Sequence, residues 1–315
     1  MKFRLIAFVG SLAALAQAVL AAGFDYGLQP QAVAPDVYVF VGKTEDFDTK
    51  NGGNIVNTGF IVGPDGIVVI DTGPSRRYGE QMRQAIARVS SKPIALVINT
   101  HHHPDHFLGN QAFADVPIGA LAAARQGIVA DGNAFAENLY RMSGDWMSGT
   151  EVVAPNRTLQ AGDLMAGGRR LRLVALDGHT GADLVVVDSA SGVVFAGDLA
   201  FNDRAPTTPH ADVGHWRQAL TVLEALTRQP GFTALVPGHG AVTRDGAPLA
   251  RTRAWLDWLT ASLRAAARDG LDMNDVLARP LPPAFADLPV AASEYRRSVG
   301  HLYPAFEVEA LGAGR

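Results

Sequence analysis

The sequence predicts an α/β protein in which two sheets pack face to face, with helices outside and a helical extension at the C-terminal end. Three observations point there. Short apolar runs punctuated by Gly, Asp and Asn lead into an amphipathic helical pattern. The same order then repeats in the second half of the chain. From Pro248 onward the strand pattern gives way to long helical periodicity. Strands then helices, twice, suit a layered sandwich in which each sheet buries one face on the other.

The elements follow in order. Val37–Val41, Ile55–Val62 and Ile67–Ile70 read as strands. Arg76–Val89 has the spacing of an amphipathic helix, and Ile94–Asn99 is an apolar strand that runs into a histidine cluster. A helix is expected to start in Phe107–Phe113. Leu121–Met147 reads as largely helical, with Phe135, Tyr140 and Trp146 as core residues. Leu171–Leu176, Leu184–Asp188 and Val193–Ala196 are the strands of the second half, followed by a helix over His215–Leu226 and a buried strand over Ala234–Val236. Ala250–Asp269 is a helix, and a Pro-rich turn precedes a last helix near Ser293–His301, where His301 is expected to pack rather than bind. The segments divide as 1–22, 23–247 and 248–315.

Residues 1–22 read as a secretory signal. Lys2 and Arg4 precede an apolar stretch from Leu5 to Leu15, and small residues offer cleavage after Ala18, Ala21 or Ala22. The expected location is therefore periplasmic or secreted. The apolar run is short for a membrane span, and no other segment is apolar enough to make one. With 48% hydrophobic and 18% charged residues, the 315-residue chain can bury a large core. Its net charge of −4 and lack of a basic run exclude nucleic acid as a partner. The chain has no cysteine, which excludes disulfides and thiolate zinc sites, so any metal must be held by His and carboxylate.

The string Thr100-His101-His102-His103-Pro104-Asp105-His106 follows an apolar strand. In extended chain, residues two apart face the same way, so His101 and His103 can share one ion while His102 points away. Beyond Pro104, Asp105 and His106 can face a second. Four further elements have a polar residue just past an apolar strand with glycine nearby: Asp71 in Ile70-Asp71-Thr72-Gly73, His179 after Gly178, Asp198 after Gly197, and His239 between Gly238 and Gly240. Each alone would be an ordinary loop residue. Together, at one sheet edge, they make a metal site.

This order, H-x-H-x-D-H followed by a GHT histidine, an aspartate after a strand and a GH histidine, resembles the metallo-β-lactamase superfamily over Val37 to Val242. The resemblance implies an αββα four-layer sandwich. It implies that His101, His103 and His179 hold one metal, that Asp105, His106 and His239 hold a second, that Asp198 bridges them, and that Asp71 orients the ligands. Asp105 and Asp198 thereby become the catalytic carboxylates. Without cysteine, the cysteine-ligand lactamases do not match. The aspartate at 198 makes the set similar to glyoxalase II rather than to the histidine-only lactamases. The segments Asn51–Gly59, Arg204–His210 and His301–Pro304 are similar to the quinoprotein relay system zinc metallohydrolase group, which implies a periplasmic quinoprotein as partner.

Imidazole and carboxylate suit two zinc ions, and also iron, manganese or nickel. The implied chemistry is hydrolysis: a water bridging two ions loses a proton near neutral pH and attacks a carbonyl-type carbon of a small ester, thioester, lactone or lactam. No G-x-S-x-G nucleophile elbow is present. Phe201–His215 follows Asp198, so Asn202, Arg204 and His210 are candidate substrate contacts, with Arg204 suited to a carboxylate. Two other readings compete. One is a mononuclear iron enzyme like the persulfide dioxygenases, which the seven-residue donor set disfavours. The other is a non-enzymatic accessory of a quinoprotein system.

Overall fold

The computed structural model describes residues 23–313; the expected signal segment lies outside the described residues. Twelve strands form two sheets among these residues. The first has the order β1(Gln31–Ala34), β2(Val37–Phe40), β3(Thr58–Val62), β4(Ile67–Ile70), β5(Ile94–Ile98), β6(Ile118–Leu121), β7(Arg157–Leu159). Pairing is antiparallel from β1 to β4 and parallel from β4 to β7. The second sheet has the order β12(Ala234–His239), β11(Val193–Phe201), β10(Asp183–Asp188), β9(Arg169–Leu176), β8(Gly162–Ala166), with only β11 and β12 parallel.

Alternation along the strands explains the layers. In β4 and β5, Val68, Ile70, Leu96 and Ile98 point inward and meet Leu171, Leu173, Leu184, Val186 and Phe195 of the second sheet. The residues between them, Val69 and Val97, point outward onto the Arg76–Val89 helix. That helix is capped by Ser75, whose hydroxyl accepts from Tyr78 N, and it buries Tyr78, Met82, Ala85 and Ile86 along one stripe. On the other side, Val185 and Val194 are covered by Trp216, Leu220 and Leu223 of the Val213–Thr227 helix. Trp255, Leu259, Tyr295, Val299 and Tyr303, from helices Ala247–Arg268 and Ala291–Ala313, join the same core. The four layers are thus helix, sheet, sheet, helix, and the C-terminal helices complete the outer layer of the second sheet.

Several elements differ from the sequence reading, each for a local reason. Ile55–Asn57 is not strand, because Asn57 leaves the ladder to bind the Pro237 and Gly240 carbonyls. A helical turn begins at Pro104, the first helical position where proline's missing N–H costs nothing, and Leu108–Phe113 continues as 3-10 helix. The strand expected over Val193–Ala196 runs on to Phe201 through register irregularities around Gly197. Asp198 therefore sits within a bulged strand rather than past its end. The last helix extends to Ala313 with Pro304 inside it, and His301 is exposed on its surface rather than packed. Strands β1, β6, β7 and β8, which the sequence reading did not single out, are each only three to five residues long.

Topology places the site. β4 and β5 are parallel, so Asp71 and the 100–106 loop leave the first sheet at one edge. β11 and β12 are also parallel and deliver Asp198 and His239, while the β9–β10 turn carries His179. Among the described residues, no helix is long and apolar enough to cross a membrane.

Candidate metal centre

The structure brings all seven expected ligands together. The ligand atoms of His101, His103, His179 and Asp198 lie within 4.8 Å of one another, and so do those of Asp105, His106 and His239. Asp198 stands between the two groups. Its Oδ2 is 3.3 Å from His179 Nε2 and 3.2 Å from His239 Nε2, and its Oδ1 is 3.1 Å from His106 Nε2. Asp105 Oδ2 lies 3.5 Å from His239 Nε2. Gly238 makes room for this carboxylate: a Cβ there would meet Asp198 Oδ1 at 1.8 Å. All seven side chains are buried, with His103 the most open at 8%.

Neighbouring groups fix which ring nitrogen faces the centre. His106 Nδ1 is 2.8 Å from Asp71 Oδ2, so this nitrogen donates to the carboxylate and Nε2 is the atom turned to the centre. Asp71 also accepts from Thr100 N and Thr100 Oγ1, both at 2.8 Å. Its backbone is left-handed (φ 55°), a conformation that aspartate tolerates better than most residues. His239 Nδ1 is 2.7 Å from the Ile55 carbonyl, which can only accept, so its Nε2 is likewise free to coordinate. His103 Nδ1 and His179 Nε2 approach to 2.9 Å and converge on the same space.

The donor set fits cations. His101 Nε2 is a buried polar atom without a hydrogen-bond partner, and His106 Nε2 and Asp198 Oδ1, though 3.1 Å apart, form no hydrogen bond with each other or with any other group, a condition that buried polar groups rarely tolerate. Coordination would satisfy each of them. Electrostatics agree. Burial, joined by the neighbouring rings, holds His101 and His103 well below the usual imidazole range. Burial would also push His106 down, yet the Asp198, Asp71 and Asp105 carboxylates outweigh it and raise His106 well above that range. Asp198 is lowered despite its burial, by His239 and His106. His101 and His103 thus stay neutral with lone pairs free for a cation, and the carboxylates favour positive charge beside His106.

The remaining candidates divide. A cavity of about 200 Å³ opens onto Asp105, Asp198 and His239, lined on one side by Phe47, Phe135 and Met142 and on another by Arg204, His210 and Glu294. Arg204 is only 4% exposed, with NH1 3.0 Å from His239 Nδ1 and NH2 3.1 Å from Glu294 Oε1. Asn202 is not among the lining residues; its amide donates to Ala241 O and accepts from Arg251. It secures the turn after His239 instead. His102 stays out of the seven-residue group and lies beside Gly127, His103 and His210. Of the aromatic residues expected in the core, Phe135 lines the cavity, Trp146 packs on Phe24 and Tyr26, and Tyr140 is exposed.

Sequence reasoning missed three residues. Asp183 accepts from His179 N, Thr180 N and Thr180 Oγ1, and so shapes the loop that aims His179. The spacing Thr180-x-x-Asp183 was its available signal. Glu294 and Arg297 reach the cavity from the C-terminal helix with no local motif to mark them.

Comparison with known proteins accords with this geometry. Residues 51–257 match the family model of the metallo-beta-lactamase superfamily. A hydroxyacylglutathione hydrolase of Polaromonas sp. is 30% identical over 164 residues, 51% of this chain and 54% of that protein, so the match spans about half the relative's length. The acyl-coenzyme A thioesterase MBLAC2 of Gallus gallus is 24% identical over 212 residues, 59% of this chain and 73% of that protein. Among solved structures, a metallo-beta-lactamase from Pontibacter korlensis superposes with a TM-score of 0.58 at 23% identity, covering 73% of this chain and 99% of that one. That likeness speaks for the fold, which is the sandwich described above. With the family model covering most of the chain and all seven donors gathered at the sheet edge, the protein belongs to the metallo-beta-lactamase superfamily.

Proposed function

We propose that the protein is an exported hydrolase that binds two divalent metal ions, zinc first, and cleaves carbonyl-type bonds, with thioesters and esters ahead of lactones and lactams. One observation carries this reading: Asp198 lies between two groups of ligands whose free nitrogens face it from both sides. His101, His103 and His179 would hold one ion, Asp105, His106 and His239 the other, and Asp198 would touch both. Two dications repel at close range, and a shared carboxylate offsets part of that repulsion. When bound, such ions polarise a carbonyl oxygen and lower the pKa of water to about 7.

The chain's own residues do the rest. Asp71 and the Ile55 carbonyl keep the Nδ1 protons of His106 and His239 turned away from the centre. Phe47, Phe135, Leu139 and Met142 offer an apolar wall for an acyl group and limit water beside the reacting carbon. The thioester preference draws on the relatives, a hydroxyacylglutathione hydrolase and an acyl-coenzyme A thioesterase. Export rests on the signal-like residues 1–22, and a periplasmic quinoprotein partner on the segments Asn51–Gly59, Arg204–His210 and His301–Pro304.

The test is elemental analysis of the purified protein together with turnover of a thioester, an ester, a lactone and a lactam, before and after chelation. About two ions per chain and chelator-sensitive hydrolysis are expected. A single iron with oxygen consumption on a persulfide would replace this reading with the dioxygenase one. Metal binding without turnover of any substrate would favour the accessory role.

A further inference from the structure

We infer that His210 is a positioning residue that holds the ligand histidine His103 in place, an inference that rests on the two-metal reading above. The ring of His103 is caught between two others. Its Nδ1 lies 2.9 Å from His179 Nε2, at the centre, and its Nε2 lies 3.0 Å from His210 Nδ1. A neutral imidazole has one lone pair and one N–H. If Nδ1 coordinates, Nε2 carries the proton and donates it to His210 Nδ1. Among the described residues, no carboxylate or carbonyl takes this proton; His210 is the partner present.

The surrounding chain is built to hold that acceptor. His210 sits in the left-handed region (φ 69°), a conformation disfavoured for residues with a Cβ. The turn before it is pinned at both ends. Thr208 is buried and its hydroxyl donates to Ser298 on the C-terminal helix at 2.7 Å. Ala211 N returns to Thr208 O, and Asp212 N donates to Gly178 O, next to the ligand His179. The strained residue is therefore tied both to the last helix and to the loop of another ligand. His210 also lines the cavity, so its outer edge faces the space a substrate would enter.

A different use of the same residues is a third metal site, because the ring nitrogens of His102, His103 and His210 also lie within 4.8 Å of one another. That use requires His103 to give both nitrogens to cations, as an imidazolate. With one lone pair per neutral ring, His102 and His210 alone would remain. The hydrogen bond needs no such deprotonation.

The experiment compares the protein with His210→Leu, His210→Asn and His210→Gln, each loaded with zinc or cobalt(II). The Asn side chain sets an amide oxygen at the place of Nδ1 and tolerates a left-handed backbone. Gln reaches instead toward the place of Nε2. Zinc retention is read by chelator competition, and the ligand field by the visible spectrum of bound cobalt. The expected result is that Leu and Gln weaken zinc binding by roughly 10- to 100-fold, the scale typical of lost partners to ligand histidines, and shift the cobalt bands. Asn restores both towards the parent values. Parental zinc retention and spectrum in His210→Leu would overturn the inference, as would His210→Asn failing as badly as Leu. Three ions in the parent and two in His210→Leu would overturn it in favour of the third site. A parent protein that binds no metal defeats the two-metal reading itself, so the two failures are distinguishable.

Discussion

His103 and His106 leave the same loop, yet their outer ring nitrogens are held by opposite means. His106 leans on Asp71, a carboxylate 2% exposed and itself fixed by two hydrogen bonds from Thr100. His103 leans on His210, an exposed ring on a loop at the cavity's mouth. The buried carboxylate supplies direction and negative charge, which strengthens the bound imidazole. The exposed ring supplies direction alone. The centre thus has a stiff side against the core of the first sheet and a softer side facing the cavity.

The largest break in this comparison comes at its middle. Asp198→Ser removes the carboxylate common to both sides. The expected outcome is about one ion per chain in place of two, with His101, His103 and His179 keeping theirs. Thioester turnover should fall by at least roughly a hundredfold, since charge stabilisation worth several kcal/mol is lost. Elemental analysis beside initial rates decides it. Two tightly held ions with full turnover would reduce Asp198 to a strand residue and return the chain to the histidine-only lactamase pattern.

Next comes the stiff side. Asp71→Ala removes the acceptor of three buried donors, His106 Nδ1 and the Thr100 amide and hydroxyl, of which the hydroxyl keeps a 3.1 Å contact with His101 Nδ1. At about 1–3 kcal/mol for each unsatisfied buried group, a loss of at least about 2 kcal/mol is expected. Zinc affinity should also drop by about 10- to 100-fold. Asp71→Asn keeps the shape and one acceptor, so it should recover much of the stability and less of the affinity. Melting curves with and without zinc separate the two effects. Unchanged affinity in Asp71→Ala would place the stiffness elsewhere.

His239 offers a third case, because its partner is a backbone carbonyl. Arg204→Met breaks the buried pair with Glu294 and the 3.0 Å contact with His239 Nδ1, while leaving the Ile55 carbonyl in place. Removing one partner of a buried pair costs up to about 3–5 kcal/mol, and less here because Glu294 keeps Arg297 at 2.9 Å. We expect a clear drop in melting temperature with zinc affinity within a few-fold of the parent. A large loss of zinc would show that Arg204, and through it the C-terminal helix, shapes the centre directly.

These contrasts also mark what the sequence disclosed. The contiguous string from His101 to His106 was legible because coordination demands donors at fixed spacing, and one loop supplied four of the seven. His179, Asp198 and His239 were legible only as a set, since each follows a strand beside glycine. The reading stopped where contacts cross the molecule. Glu294 meets Arg204 and Asp46 meets Arg297 over long stretches of chain, and no local pattern encodes such pairs. Asn202 shows the converse. Proximity to Asp198 in sequence suggested the cavity, but the strand carries on past the bulge and directs the amide to Ala241. The fold was legible where alternation was strong, as in β4 and β5, and faded in β7 and β8, whose residues are mostly exposed.

The smallest effect should belong to His102, and it tests the register of the whole loop. His102 shares a string with three ligand histidines, so composition alone would make it one. In the structure its ring packs beside Gly127 and within 6.1 Å of the Phe135 ring centre, outside the group around Asp198. Burial, with His210 and His179 nearby, pushes it down to about 4, so it is neutral at pH 7 and adds no charge to the centre. His102→Ala therefore removes packing from a half-buried ring and little else. Two ions per chain and turnover within about twofold of the parent are expected, with a stability loss of about 1 kcal/mol, the centre of the range for single substitutions. The same protein should keep the parental cobalt spectrum, because His103 Nε2 still meets His210. Loss of an ion in His102→Ala would mean that the alternation along the loop places His102 inward, and the ligand assignments of His101 and His103 would have to be redrawn with it.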